Sequence, residues 1–286
     1  MSDDSSFAFL QKGFSAFLYA EKEYSTNWCS EENWSASGDS LYQFIENAQL
    51  YVLFPEDYHA DAIRLIRNNF IADSVGKTDR NDAAFWAKAD IMMTDAFVQI
   101  VKDIKIGRLP NDSVSLRKDS VLSNEFYQQQ FKSVFANGLI ATNESLEPKP
   151  PEYALLKSGI KKFLDSSNYR KFTVIPYPEK NRQKFQAALQ KRLYEGSYIS
   201  FDSTATDSTQ LSDAIKQFQK KKDIAVDGVA GEGTIQMLNV SDREKFIRIA
   251  SSMDKYKLLP EKMPEKYISV NTSANYLQVL NGDKVD

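Results

Sequence analysis

A thiol and an imidazole are the pair on which acyl transfer through a thioester runs, the thiolate attacking while the ring moves the proton. This chain of 286 residues holds one of each, Cys29 and His59. Cys29 lies in Asn27-Trp-Cys-Ser30, with no glycine in its immediate context, and His59 follows Pro55-Glu-Asp-Tyr58, which reads as a helix start with carboxylates near the dipole. Both residues therefore read as structural. A single Cys allows no internal disulfide and a single His no His-based zinc cluster, so the sequence gives no expectation of a metal or a cofactor. Carboxylate pairs for glycosidase chemistry need a defined separation across a cleft, which no spacing here establishes.

The most specific segment is Ala214-Ile-Lys-Gln-Phe-Gln219, followed by Ile224-Ala-Val-Asp-Gly228, then Gly231, Thr234 and Leu238-Asn239. Asp227-Gly228 predicts a tight turn with positive φ at the glycine. Gly231 is expected to let the loop backbone pass close to the helices, Thr234 to cap the last helix with its hydroxyl, and Phe218 to be the central core knob. Lys216, Lys220, Lys221 and Lys222 cluster beside this segment, with Lys180, Arg182, Lys184, Lys191 and Arg192 upstream. Their default reading is a solvated helix face; the functional one is a weak pull on an anionic polymer or on carboxylates.

These residues need helices to position them. Phe185, Leu189 and Leu193 make one apolar stripe, Leu211, Ile215 and Phe218 a second, and Ile235 and Leu238 a third, which predicts a compact three-helix module. Upstream, residues 7 to 164 read as helices joined by short polar connections. The clearest runs from Asn81 to Ile106, with Phe85, Ala89, Met92, Met93, Ala96, Phe97, Ile100, Val101 and Ile104 at helical spacing and Gly107 as its stop. Leu41, Phe44, Ile45 and Ala48 form a shorter stripe, as do Tyr153, Leu156, Ile160 and Phe163, while Asp79-Arg-Asn-Asp82 reads as a helix cap. Downstream, a helix is predicted from Asp242 to Leu259, with Phe246, Ile249, Ala250 and Met253 inward and Pro260 as its end. From Tyr267 the period changes to two, and Asn281-Gly282 reads as a hairpin turn. Because the sequence stops four residues later, at Asp286, these strands read as the opening of a β-rich domain that continues.

Composition bounds the function. With 36 basic against 39 acidic residues, the chain lacks the positive footprint that a phosphate backbone requires, so nucleic acid is not an expected partner. No stretch approaches the roughly 20 apolar residues of a membrane span, and Met1 is followed by Ser-Asp-Asp-Ser-Ser rather than by a signal region.

The pattern over residues 180 to 240 resembles the peptidoglycan-binding domain of bacterial wall hydrolases and transpeptidases; Phe185-Gln-Ala-Ala-Leu-Gln-Lys-Arg-Leu193 fits its first helix, and Gly196-Ser-Tyr198 fits the stretch after that helix. Two positions depart: Asp223 stands where that family usually has Gly at a helix end, and Leu211 where it often has Thr. The flanks, including Phe17-Leu-Tyr-Ala-Glu21, Trp28, Trp34, Pro55-Glu-Asp-Tyr-His59 and Pro151-Glu-Tyr153, resemble the helical scaffold of large L,D-transpeptidases, into which the binding module is inserted. Tyr267-Ile-Ser-Val-Asn-Thr272 and Tyr276-Leu-Gln-Val279 resemble the opening strands of their catalytic domain.

The resemblance implies a mainly α fold divided into a scaffold at 1–178, a three-helix module at 179–240, a returning helix at 241–266 and a β-hairpin remnant at 267–286. It also implies a Cys nucleophile in a Ser-x-Gly-Cys context with a His base, neither of which lies in this chain, so the chain is expected to be the non-catalytic, wall-binding portion of such an enzyme. The alternative is a stand-alone wall-binding or interaction protein. Peptidoglycan is the implied partner and the periplasm or cell envelope the implied location. The implied binding surface is Tyr198, whose ring could stack on a sugar, with the loop residues Asp227, Gly228, Gly231 and Thr234, whose N–H groups could meet peptide carbonyls or carboxylates.

Overall fold

Helical spacing along the first half of the chain becomes helices arranged around one long central element. The computed structural model describes residues 9–30, 33–72, 83–109, 122–178, 180–200, 207–260, 262–271, 275–282 and 284–285. The fold is mainly α. Its elements are α1 (Lys12–Glu21), β1 (Cys29–Ser30), β2 (Asn33–Trp34), α2 (Ala36–Glu46), α3 (Ala60–Ala72), α4 (Ala83–Lys105), α5 (Asn124–Asn137), α6 (Leu139–Leu146) and α7 (Pro151–Ser166). There follow α8 (Arg182–Glu195), α9 (Ser208–Lys221), α10 (Glu232–Asn239), α11 (Asp242–Tyr256), β3 (Lys266–Asn271), β4 (Tyr276–Asn281) and β5 (Lys284–Val285). Two compact units result, one of Met1–Asp165 with Ala250–Asp286 and one of Ser166–Ile249.

In the first unit α4 is buried almost all round, from Trp86 through Met92, Met93, Phe97 and Ile100 to Ile104. A helix buried on every side must also bury polar side chains, and each of these needs a partner. Asp90 accepts the backbone N–H groups of Asn27 (2.9 Å), Trp28 (2.6 Å) and Cys29 (3.1 Å) and the hydroxyl of Tyr19. Asp95 accepts the N–H groups of Leu10 and Gln11, each at 2.8 Å, and meets His59 Nε2 at 2.8 Å. Asp103 takes the Tyr58 hydroxyl and the Gln99 amide, both at 2.9 Å. Asp90 and Asp95 thus fix the chain at Asn27–Cys29 and at Leu10–Gln11, while Asp103 holds the short 3-10 turn that ends at Tyr58.

Gly107 (φ +79°) ends α4, as its spacing predicts, and the next two N–H groups, of Arg108 and Leu109, are accepted by Asp254 on α11 at 2.6 and 2.8 Å. A side chain at Gly107 would collide with that carboxylate. Buried Lys257 completes the corner, donating to the Asp103 carbonyl at 2.8 Å and pairing with Asp254 at 3.0 Å.

Two readings are corrected by the fold. Leu156, placed in the buried stripe of α7, is 39% exposed while Tyr153 and Ile160 are buried, so that stripe is narrower than its spacing suggests. The short β1–β2 ladder, pairing Cys29 with Trp34, lies where helices were expected. The turn read at Asn281-Gly282 is present: Gly282 has φ +61° and leads from β4 into β5, giving the sheet order β3-β4-β5. The cap expected at Asp79-Arg-Asn-Asp82 lies outside the described residues.

In the second unit the three predicted stripes meet. Leu189 and Leu193 of α8, Ala214, Ile215 and Phe218 of α9, and Ile235 and Leu238 of α10 form one core with Ile175. Asn181 Oδ1 accepts Lys184 N–H at the start of α8, and Asp207 caps α9. Asp223 takes the left-handed conformation (φ +53°) after α9, which Asp tolerates better than most residues with a side chain.

Candidate functional site

Within the second unit, the loop between α9 and α10 is built around the side chain of Gln219, which is 1% exposed. Its Oε1 accepts the N–H groups of Asp227 (3.1 Å) and Gly228 (2.9 Å). Its Nε2 donates to Asp227 Oδ1 (2.7 Å), the Val229 carbonyl (3.2 Å) and Thr234 Oγ1 (3.1 Å). One amide therefore satisfies both directions of a tight turn, the complementary set that a primary amide can offer. Asp227 adds a bond from Val229 N–H at 2.8 Å, and that bond, with the Gln219 amide, holds its carboxyl below the usual range.

Gly228 supplies the positive φ (+73°) that the turn requires, as its sequence context predicts. Two expectations here are corrected. Thr234 does not cap α10: the N-cap is Gly231, no side chain caps that end, and the Thr234 hydroxyl faces Gln219 instead. Gly231 is not a point of close approach, since a side chain there would meet nothing within 4 Å and its φ is −73°.

Tyr198 packs its ring edge-on against Phe218, with centroids 5.5 Å apart and planes at 84°, and the Lys221 ammonium lies 5.6 Å from the ring centroid. The structure thus joins Asp227, Gly228 and Thr234 through Gln219, and ties Tyr198 to the core beside them.

A groove of about 220 Å³ opens between α8 and α9, lined by Gln186, Gln190, Ser208, Leu211, Ser212, Ile215 and Gly228. Ser212 Oγ donates to the Gly228 carbonyl at 3.3 Å, tying wall to turn. Amide and hydroxyl groups above an apolar floor can orient a neutral polar ligand. Of the binding-surface residues expected from sequence, Gly228 alone lines this groove; Leu211 and Ile215 were read only as core stripe, and the glutamines and serines of its walls were missed as ligand contacts. The signal was present, since Gln186 and Gln190 are spaced by four on α8 and Ser212 and Ile215 by three on α9, but a polar face carries no periodic mark separating a ligand wall from a solvated surface.

Cys29 and His59 are accounted for structurally. Burial first, and then the Asp90 carboxylate, push the Cys29 thiol far up, away from the thiolate that nucleophilic chemistry needs. His59 is bound to Asp95.

The chain therefore comprises a helical unit built on a largely buried central helix and a second unit that contains a three-helix module. Residues 16–159 match the family described as "Scaffold domain", which is found in L,D-transpeptidases, and this chain belongs to it. Residues 179–238 match the "Putative peptidoglycan binding domain", a match that supports cell-wall binding. No curated protein matches the chain. Among the described residues no helix is long and apolar enough to cross a membrane.

Proposed function

We propose that this chain is the scaffold and wall-binding portion of an L,D-transpeptidase, acting in the bacterial periplasm or cell envelope, and that residues 179–240 bind peptidoglycan. The observation that carries the reading is the groove between α8 and α9, which lies within the residues matching the peptidoglycan-binding family. Its amides and hydroxyls suit the N-acetyl and peptide amide groups of peptidoglycan, and Leu211 and Ile215 suit the apolar faces of sugars or alanine methyls. In this reading Asp227, Gly231 and Thr234 frame the loop, Gly228 lines the groove, and partly exposed Tyr198 offers a second contact.

The C-terminal sheet supports the enzyme part of the reading. Ile268 pairs with Val279 and Val270 with Leu277, which places all four on one face of β3 and β4. They are 63%, 42%, 60% and 59% exposed, respectively. A sheet face of this kind is built to be covered by further structure, as the opening strands of a catalytic domain would be.

The experiment is co-sedimentation of the whole chain with purified insoluble peptidoglycan, with circular dichroism as the check on folding. Saturable retention in the pellet supports the reading, and a folded chain that stays in the supernatant at every peptidoglycan concentration overturns it.

A further inference from the structure

A second concavity of the same unit lies outside the groove just described. The segment leading into α8 is held at two points: Thr173 donates its N–H and its hydroxyl to the Glu195 carboxylate, both at 2.7 Å, and Ile175 exchanges two 2.8 Å bonds with the Asn239 side chain. Anchored in this way, the segment walls a cleft of about 470 Å³ whose lining includes Arg170, Lys171, Phe172, Arg192, Arg243 and Glu244. Four lining side chains are cationic against one carboxylate, in a chain whose net charge is −3. That carboxylate, Glu244, pairs with Arg248 at 2.6 Å.

Arg192 is the best placed of the four. Its Nε donates to the Leu238 carbonyl at 2.9 Å and its guanidinium lies 4.2 Å from the centroid of the Phe172 ring, so the planar group is fixed in position. Its terminal nitrogens make no hydrogen bond among the described residues. Burial lowers its basicity against the raising pull of the Glu195 and Asp242 carboxylates nearby, a sign that the cation is partly stripped of water. A fixed, partly desolvated guanidinium is suited to a planar anion held by two parallel hydrogen bonds. Phe172 and Val174, the latter 70% exposed, add apolar surface beside it.

We propose that this cleft binds the free carboxylate of a short peptide, with Arg192 as its two-pronged partner, Arg243 and Lys171 adding positive field, and Phe172 and Val174 meeting a small aliphatic side chain. Tyr169–Val174 and Ser241–Glu244 lie outside residues 179–238, so this site is additional to the groove. The proposal rests on the wall-binding reading for the source of the peptide but not for the chemistry of the cleft. Four cations gathered at one concavity with apolar neighbours favour a peptide terminus over a phosphate polymer, which calls for an extended stripe of charge.

The test titrates the whole chain with N-acetyl-D-alanyl-D-alanine, its C-terminal carboxamide and inorganic phosphate, followed by NMR shifts of the arginine side chains. The free acid is expected to bind about tenfold more tightly than the carboxamide, and Arg192→Gln to weaken the acid by a similar factor, with Arg192→Lys intermediate because a point charge replaces the fork. Arg243→Gln, at an exposed position, is expected to weaken it by about two- to fivefold through the field alone, which keeps the test valid if Arg192→Gln fails to fold. Equal binding of acid and carboxamide, no binding of the acid, or affinity unchanged in both Gln variants would overturn the proposal. Phosphate competing at equal or lower concentration would overturn the peptide assignment. Co-sedimentation on the same samples separates the two readings: loss of acid binding with pellet retention intact indicts the cleft, and failure of wild type to sediment indicts the wall-binding reading.

Discussion

Gln219 and Gly228, nine residues apart, are joined by a 2.9 Å bond from the Gly228 N–H to the Gln219 side-chain oxygen, and Gly228 lines the groove. The same amide also donates to Asp227, Val229 and Thr234, so removing it leaves several turn groups without partners at once. Gln219→Ala is expected to destabilise the second unit by about 2–4 kcal/mol, since unpaired buried polar groups cost about 1–3 kcal/mol each and such losses overlap. Hydrogen exchange checks the cause: the Gly228 amide should lose protection well beyond the global change, and uniform loss across α8 to α10 would contradict the account.

Two glycines give opposite signs. At Gly228 an added methyl group would meet Ser212 Oγ and, at 2.9 Å, Lys216 Cε, in a conformation with φ +73°. Gly228→Ala is expected to cost at least about 1–2 kcal/mol. Gly233 lies in α10 with nothing within 4 Å of an added methyl, and Gly233→Ala should stabilise by about 0.5–1 kcal/mol. Urea denaturation of both variants decides the matter, and a common sign would contradict it.

Asp90 gathers backbone donors from Asn27, Trp28 and Cys29 and the Tyr19 hydroxyl on one carboxylate. Asp90→Ala is expected to cost about 3–5 kcal/mol, and Asp90→Asn less because one acceptor oxygen remains. The melting temperatures should rank wild type, Asn, Ala; an alanine variant as stable as wild type would show that the donors find other acceptors.

Burial lifts the Asp103 carboxyl above its ordinary 3.8, against the lowering effect of bonds from Gln99 and Tyr58. A carboxyl raised in the folded state favours folding below its unfolded pKa, and that contribution disappears as pH rises through the folded value. The stability of Asp103→Asn relative to wild type should therefore increase from pH 4 towards neutrality. A difference that stays flat or falls over that range would contradict the assignment.

Much of the fold was legible because burial writes itself as period. The stripe at Leu41, Phe44 and Ile45, the run along α4, and the three stripes of the module all became core. Gly107 and Gly228 were legible for a related reason, as their positive φ suits a residue without a side chain. What escaped depends on contacts distant in sequence: Asp90 reaches Trp28 across 62 residues and Asp254 reaches Arg108 across 146, and no local pattern announces either. Thr234 shows the limit within the site. A hydroxyl near a helix start reads as a cap, yet here the buried Gln219 amide on the preceding helix takes that oxygen.

The central claim is that the α8–α9 groove holds peptidoglycan, and the most direct measurement is co-sedimentation of Gln186→Trp with purified insoluble peptidoglycan beside wild type. Gln186 is exposed on the groove wall, so the indole fills the groove without disturbing the core at Leu189 and Leu193. The account predicts saturable retention of wild type and at least about tenfold weaker retention of the variant, with unchanged circular dichroism. Equal retention of the two folded proteins would contradict it and place the binding surface elsewhere.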